Sequence, residues 1–194
     1  MVNTLAPGRW SLLLLVPLLL ASCDSVISTV PLGTPSQDAA VNKSLDGVWL
    51  GGDGQVLYIK HVNDGELRIA GVEWKDGRFQ LSELAAYLTI EQDVRYVNLV
   101  DPESDKEKPK YLLARLAPTT GDDLVVYPPQ AAAFAEAVNE RRLSGTVTKH
   151  KHSTAVELTA DKDRLDAFVD PEQVGRQFQI DTPVVLRRIG KVGE

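Results

Sequence analysis

Apolar and polar positions along the chain fall into three regimes. From Trp10 to Ala21 apolar residues run almost unbroken, interrupted only by Ser11 and Pro17. From Asp24 to Ser44 the chain is rich in Ser, Thr, Pro, Ala and Gln, with no sustained period of 2 or 3.6, so it predicts no element. Such a stretch reads as a flexible coil, and about 21 residues of it would reach roughly 25 Å. From Leu45 onward short apolar runs alternate with Asp53-Gly54, Asp64-Gly65 and Asp76-Gly77. Asp-Gly supplies the positive φ that tight hairpins need, which predicts a meander of short antiparallel strands. The strands expected are Val56 to Val62, Glu66 to Trp74, Arg78 to Leu81, Tyr87 to Glu91, Arg95 to Val100, Tyr111 to Leu116 and Leu124 to Tyr127. The stretch from Asp101 to Lys110, with two prolines and seven charged residues, reads as a solvated hairpin tip.

After Pro128-Pro129 the period changes. Ala131, Phe134, Ala135 and Val138 mark one face of a helix expected to end near Gly145. A strand or hairpin follows from Thr146 to Leu158, then a shorter helical face at Leu165, Phe168 and Val169, stopped by Asp170-Pro171, and a last strand from Pro183 to Ile189. This pattern predicts a mainly β fold with two helices, either a single curled antiparallel sheet or a small up-and-down barrel, since closure removes exposed edges. The boundaries expected are a leader over residues 1–22, an anchor and tether over 23–44, and one β-rich domain over 45–190.

The first apolar run is too short to cross a membrane. Twelve helical residues span about 18 Å against a hydrocarbon core of about 30 Å. With Arg9 before the run and small residues after it, the segment has the form of a secretion signal. Its end, Leu20-Ala21-Ser22-Cys23, resembles the lipobox of bacterial lipoproteins, and Cys23 is the only cysteine in the chain. The resemblance implies cleavage before Cys23, acylation of its thiol and anchoring in the lipid bilayer of the cell envelope. Asp24 resembles the enteric-type signal for retention in the inner membrane rather than the outer, facing the periplasm.

Charge and composition narrow the partners. The chain holds 21 Lys and Arg against 27 Asp and Glu, a net charge of −6 that becomes −7 once the leader takes Arg9 away. Nucleic acid is an unsuitable partner for such a surface. With Cys23 acylated no thiol is left for a disulfide or a nucleophile, so the fold must hold by packing.

Gly47-Val48-Trp49 on the first strand, with Arg187 and Arg188 on the last, resembles the Gly-x-Trp and distal Arg of lipocalin-like barrels. The resemblance implies that Trp49 packs under an arginine of the closing strand. Alternation of side chains allows only one of the two to share its face, and Arg188 is favoured because it has the parity of Val184 and Leu186.

Candidate chemistry is sparse. His150-Lys151-His152 would put two imidazoles on one face of a strand, but two ligands do not make a metal site and the flanking lysines make its field cationic. Gly51-Gly52-Asp53-Gly54 has no helix behind it and reads as a turn rather than a phosphate loop. No cofactor motif or catalytic constellation is evident, and no residue is assigned to catalysis, cofactor or metal. The expected function is therefore a non-enzymatic accessory lipoprotein that engages an envelope protein. The alternative is a small apolar-ligand binder of lipocalin-like shape.

Overall fold

The computed structural model describes residues 24–191 apart from Asp53, Asp76, Thr119 and Thr120, and for Glu73, Trp74 and Lys75 only the backbone. Elements through the first half are β1 (Ser25–Ser28), β2 (Thr34–Pro35), α1 (Ala39–Lys43), β3 (Gly47–Gly51), β4 (Val56–Asn63), β5 (Glu66–Lys75), β6 (Arg78–Glu91) and β7 (Val94–Val100). The rest are β8 (Tyr111–Leu116), β9 (Asp123–Tyr127), α2 (Ala131–Asn139), β10 (Gly145–Lys149), β11 (Thr154–Leu158), α3 (Lys162–Phe168), a 3-10 turn (Pro171–Gln173), α4 (Val174–Gln177) and β12 (Val184–Gly190).

Eight of these strands close a barrel. β3 to β9 run up and down, each antiparallel to the next, and β12 completes the ring between β9 and β3. The turns follow their residues: Gly54, Gly65 and Gly77 take φ of 86°, 79° and 74°, while Gln92 and Asp93 make the β6–β7 turn at 48° and 63° without glycine. Inward parity gathers Trp49, Leu57, Ile59, Leu67, Ile69, Leu84 and their neighbours into one core inside the barrel. The fold is thus mainly β, as the alternation predicts, and the barrel form is the one observed.

A second core lies outside the ring. β1 pairs antiparallel with β8 and parallel with β11, whose hairpin partner is β10, so three strands extend the sheet as a flange. Helix α2 covers that flange with Phe134, Ala135 and Ala137, joined by Val26, Leu113, Leu158 and Phe178. It ends at Asn139, earlier than Gly145, because Arg141 takes φ of 61° and Arg142 N–H reaches back to Ala137 O at 2.8 Å. A left-handed residue other than glycine makes this cap, which the sequence does not advertise.

The expected tether is overturned. Residues 24–44 are part of the fold: β1 enters the flange, β2 pairs with β6, and Leu32 is fully buried. The cause is a buried polar clamp invisible to periodicity. Asn98 Oδ1 accepts from Leu32 N–H at 2.8 Å, its Nδ2 donates to Leu32 O at 3.1 Å and to Thr89 Oγ1 at 2.9 Å, and Thr89 Oγ1 donates to Leu32 O. Gly33, at φ 75°, gives its N–H to Asp166 Oδ1 at 2.8 Å and accepts from Lys162 Nζ at 2.7 Å. Two further corrections are local. The segments 78–81 and 87–91 are one continuous 14-residue strand, and His150 and His152 lie in the exposed turn after β10 rather than on a strand face. The leader, the lipobox and Cys23 lie outside the described residues.

Candidate functional site

One end of the barrel is closed by the pair expected from the sequence. Arg188 stands directly across from Trp49 in the β12–β3 register, and its guanidinium carbon lies 4.2 Å from the centroid of the fully buried indole. Trp49 Nε1 donates to Leu45 O at 3.0 Å, and the guanidinium donates to the carbonyls of Ser44 and Asp46. A guanidinium can stack and hydrogen-bond at the same time, so one side chain locks β12, β3 and the chain entering β3 together. Gly47 is required by the same geometry: a Cβ there would lie 2.7 Å from Arg188 Nη1 and 3.2 Å from Trp49 Nε1. Arg187 points outward and pairs with Asp123 at 3.2 Å.

Above this plug the lumen holds an aliphatic cavity of about 70 Å³, lined by Leu, Ile and Val alone, among them Leu57, Ile69, Val97, Leu116, Leu124 and Leu186. It leads toward the other end of the barrel, where Leu99, Val126 and Val184 are partly exposed. Pockets that hold drug-sized ligands measure about 300 to 1,000 Å³ and carry a few polar anchors. This lumen is far smaller and offers none, so its volume is mostly taken by its own side chains.

At that other end the β5–β6 hairpin rises beyond the ring. β4 accompanies β5 as far as the Leu57–Gly71 pair, and β7 meets β6 from Ala86, so among the described residues each strand over 72–75 and 78–81 has the other as its only strand neighbour. Four residue pairs at about 3.3 Å project roughly 13 Å. Val72 and Leu81 face each other across this ribbon on its outer side, with Phe79 two residues along; Phe79 and Leu81 are each 73 % exposed. The strand expected over Arg78 to Leu81 covers this segment, without singling out its apolar residues. A signal was present, because apolar parity changes from Phe79 and Leu81 to Leu84, Ala86 and Leu88 within one strand, so the two sets face opposite sides.

The remaining candidates are dispersed. Asp24 uses Oδ1 to accept from Thr154 N–H at 2.7 Å at the edge of the flange. His150 and His152 are exposed, and among the described residues no group of three or more His, Cys, Asp or Glu is placed to hold a metal ion. The loop from Asp101 to Lys110 joins β7 to β8 with Asp105 to Lys108 exposed. Burial pushes the Tyr96 hydroxyl up to about 12 and also raises that of Tyr111. Among the described residues no helix is long and apolar enough to cross a membrane. The chain matches no protein-family model, no curated protein and no solved structure.

Proposed function

We propose that this chain is a lipid-anchored protein of the cell envelope, held by Cys23 in the inner membrane with its barrel in the periplasm, and that it works without catalysis by docking an envelope protein on the β5–β6 ribbon. The observation that carries the docking role is the exposed apolar set Val72, Phe79 and Leu81, on strand segments that pair only with each other among the described residues. Exposed strand edges offer backbone donors and acceptors to a partner strand, and apolar side chains beside them supply affinity. Burying a Phe or Leu that was exposed contributes about 1.5 to 3 kcal/mol each. The anchor is supported by Leu20-Ala21-Ser22-Cys23.

The test is co-purification from detergent-solubilised membranes with wild type and the Phe79→Ser, Leu81→Glu double variant. A partner retained by wild type and lost by a variant of unchanged melting temperature supports the reading. Retention of the same partners by both defeats the ribbon's role.

A second reading has its own observation, the wholly aliphatic lumen. There the barrel would take the end of one slim alkyl chain through the rim at Val126 and Val184. Saturable binding of a fatty acid to purified protein, abolished by Leu124→Trp, is its signature.

A further inference from the structure

The chain enters the fold with almost no slack behind the acylation position. Asp24 is fixed to Thr154, and Ser25 already pairs with Ala155. The Cα of Cys23 is therefore one peptide, about 3.8 Å, from a residue built into the flange. A lipid at Cys23 would keep the flange close to the bilayer instead of roughly 25 Å away on a coil.

The register also fixes what lies beside that point. β1 and β11 run parallel, so the chain before Ser25 and the turn before Thr154 leave the flange on the same side. That turn runs from Lys149 to Ser153, closed by His150 N–H to Ser153 O at 2.8 Å, and Lys149, His150, Lys151 and His152 are all exposed. Of the carboxylates nearby, Asp24 is engaged with Thr154 N–H, and Glu157, farther along β11, pairs with Lys110 at 2.7 Å. On a chain of net charge −6, two lysines and two histidines thus cluster where the lipid would be attached.

We propose that Lys149 and Lys151 contact the headgroups of anionic phospholipid in the membrane that holds the anchor, and so set one orientation of the barrel on it. The proposal rests on the lipid-anchor reading above. Each lysine near an anionic surface strengthens attraction about five-fold, so two give about 25-fold. For a domain already held at the surface by its lipid, that factor selects among orientations rather than creating attachment. The acidic remainder is repelled by the same surface, which sharpens the choice.

The experiment uses acylated full-length mature protein in vesicles of phosphatidylethanolamine and phosphatidylglycerol at 7:3, compared with phosphatidylcholine vesicles. Lysines are acetylated briefly and read by mass spectrometry, with Lys60 on the far wall as internal reference; the same spectra report the modification of Cys23. Lys149 and Lys151 should react at least five-fold more slowly on the anionic vesicles, with the difference lost in 0.5 M NaCl while Lys60 is unchanged. Equal reactivity of Lys149 and Lys151 on both vesicles, with Cys23 acylated, overturns the headgroup contact alone. A Cys23 that carries no lipid in protein taken from its native membrane overturns the anchor reading and this proposal with it.

Discussion

Arg188 shows how one residue can close a barrel. Its alanine variant loses the stack on Trp49 and leaves the Ser44 and Asp46 carbonyls without their donor. The expected cost is about 1 to 3 kcal/mol, a fall in melting temperature of roughly 3 to 10 °C. Arg188→Lys should recover only part, since an ammonium cannot both stack and fork. Arg187→Ala, which removes an exposed pair with Asp123, should shift the midpoint by less than about 2 °C. A thermal melt of the three variants checks this, and equal effects of Arg187→Ala and Arg188→Ala would contradict it. Asp24 has two claims on it. Asp24→Asn keeps an acceptor for Thr154 N–H while removing the charge, so the inner-membrane reading expects density gradients to show this variant moving to the outer membrane with its fold intact. Tyr96 gives a pH signature. Its folded value, about 12, lies above the ordinary 10, so the native state holds the proton longer and stability is lost as pH rises through that window. The loss attributable to Tyr96 is of order 2 to 3 kcal/mol, and Tyr96→Phe should unfold less steeply than wild type between pH 10 and 12 in urea titrations.

The strands were largely legible, and the strap over 24–44 was not. Asp-Gly turns and period-2 runs fix β4, β5 and β8 almost to the residue, because a half-buried strand must alternate. Periodicity reports only apolar burial along an element. Leu32 is held instead by the side chains of Asn98 and Thr89, 66 and 57 residues away, and nothing local encodes such a clamp. Asn98→Ala should leave the buried N–H and C=O of Leu32 poorly satisfied, costing about 2 to 4 kcal/mol and exposing β1 and β2 to early proteolysis and fast hydrogen exchange. A variant whose residues 25–36 stay protected would contradict the clamp. In β6 the change of apolar parity between Leu81 and Leu84 sets Phe79 and Leu81 on the face opposite the core set, and that they stay uncovered follows from β7 starting to pair only at Ala86.

At the scale of the whole molecule the two cores divide the labour. The barrel core is sealed at the Trp49 end and leaves only about 70 Å³ within, while the outer core fastens the chain's entry to the flange beside Lys149 and Lys151. On the proposed reading, a lipid at Cys23 and a partner at the ribbon would be joined through one fold, which would hold that partner at a fixed height above the membrane. On the lipid-anchor reading Cys23→Ser should release the protein from the membrane fraction, since several acyl chains at about 0.8 kcal/mol per buried CH₂ would make attachment effectively permanent. The most direct test of the docking role places a photoreactive amino acid at Leu81 and, as a control on the opposite character of surface, at Arg187, in cells expressing otherwise native protein. The account predicts a discrete adduct with an envelope protein from position 81 and none from position 187. Adducts of equal yield from both positions, or none from 81 in a correctly anchored protein, would contradict it.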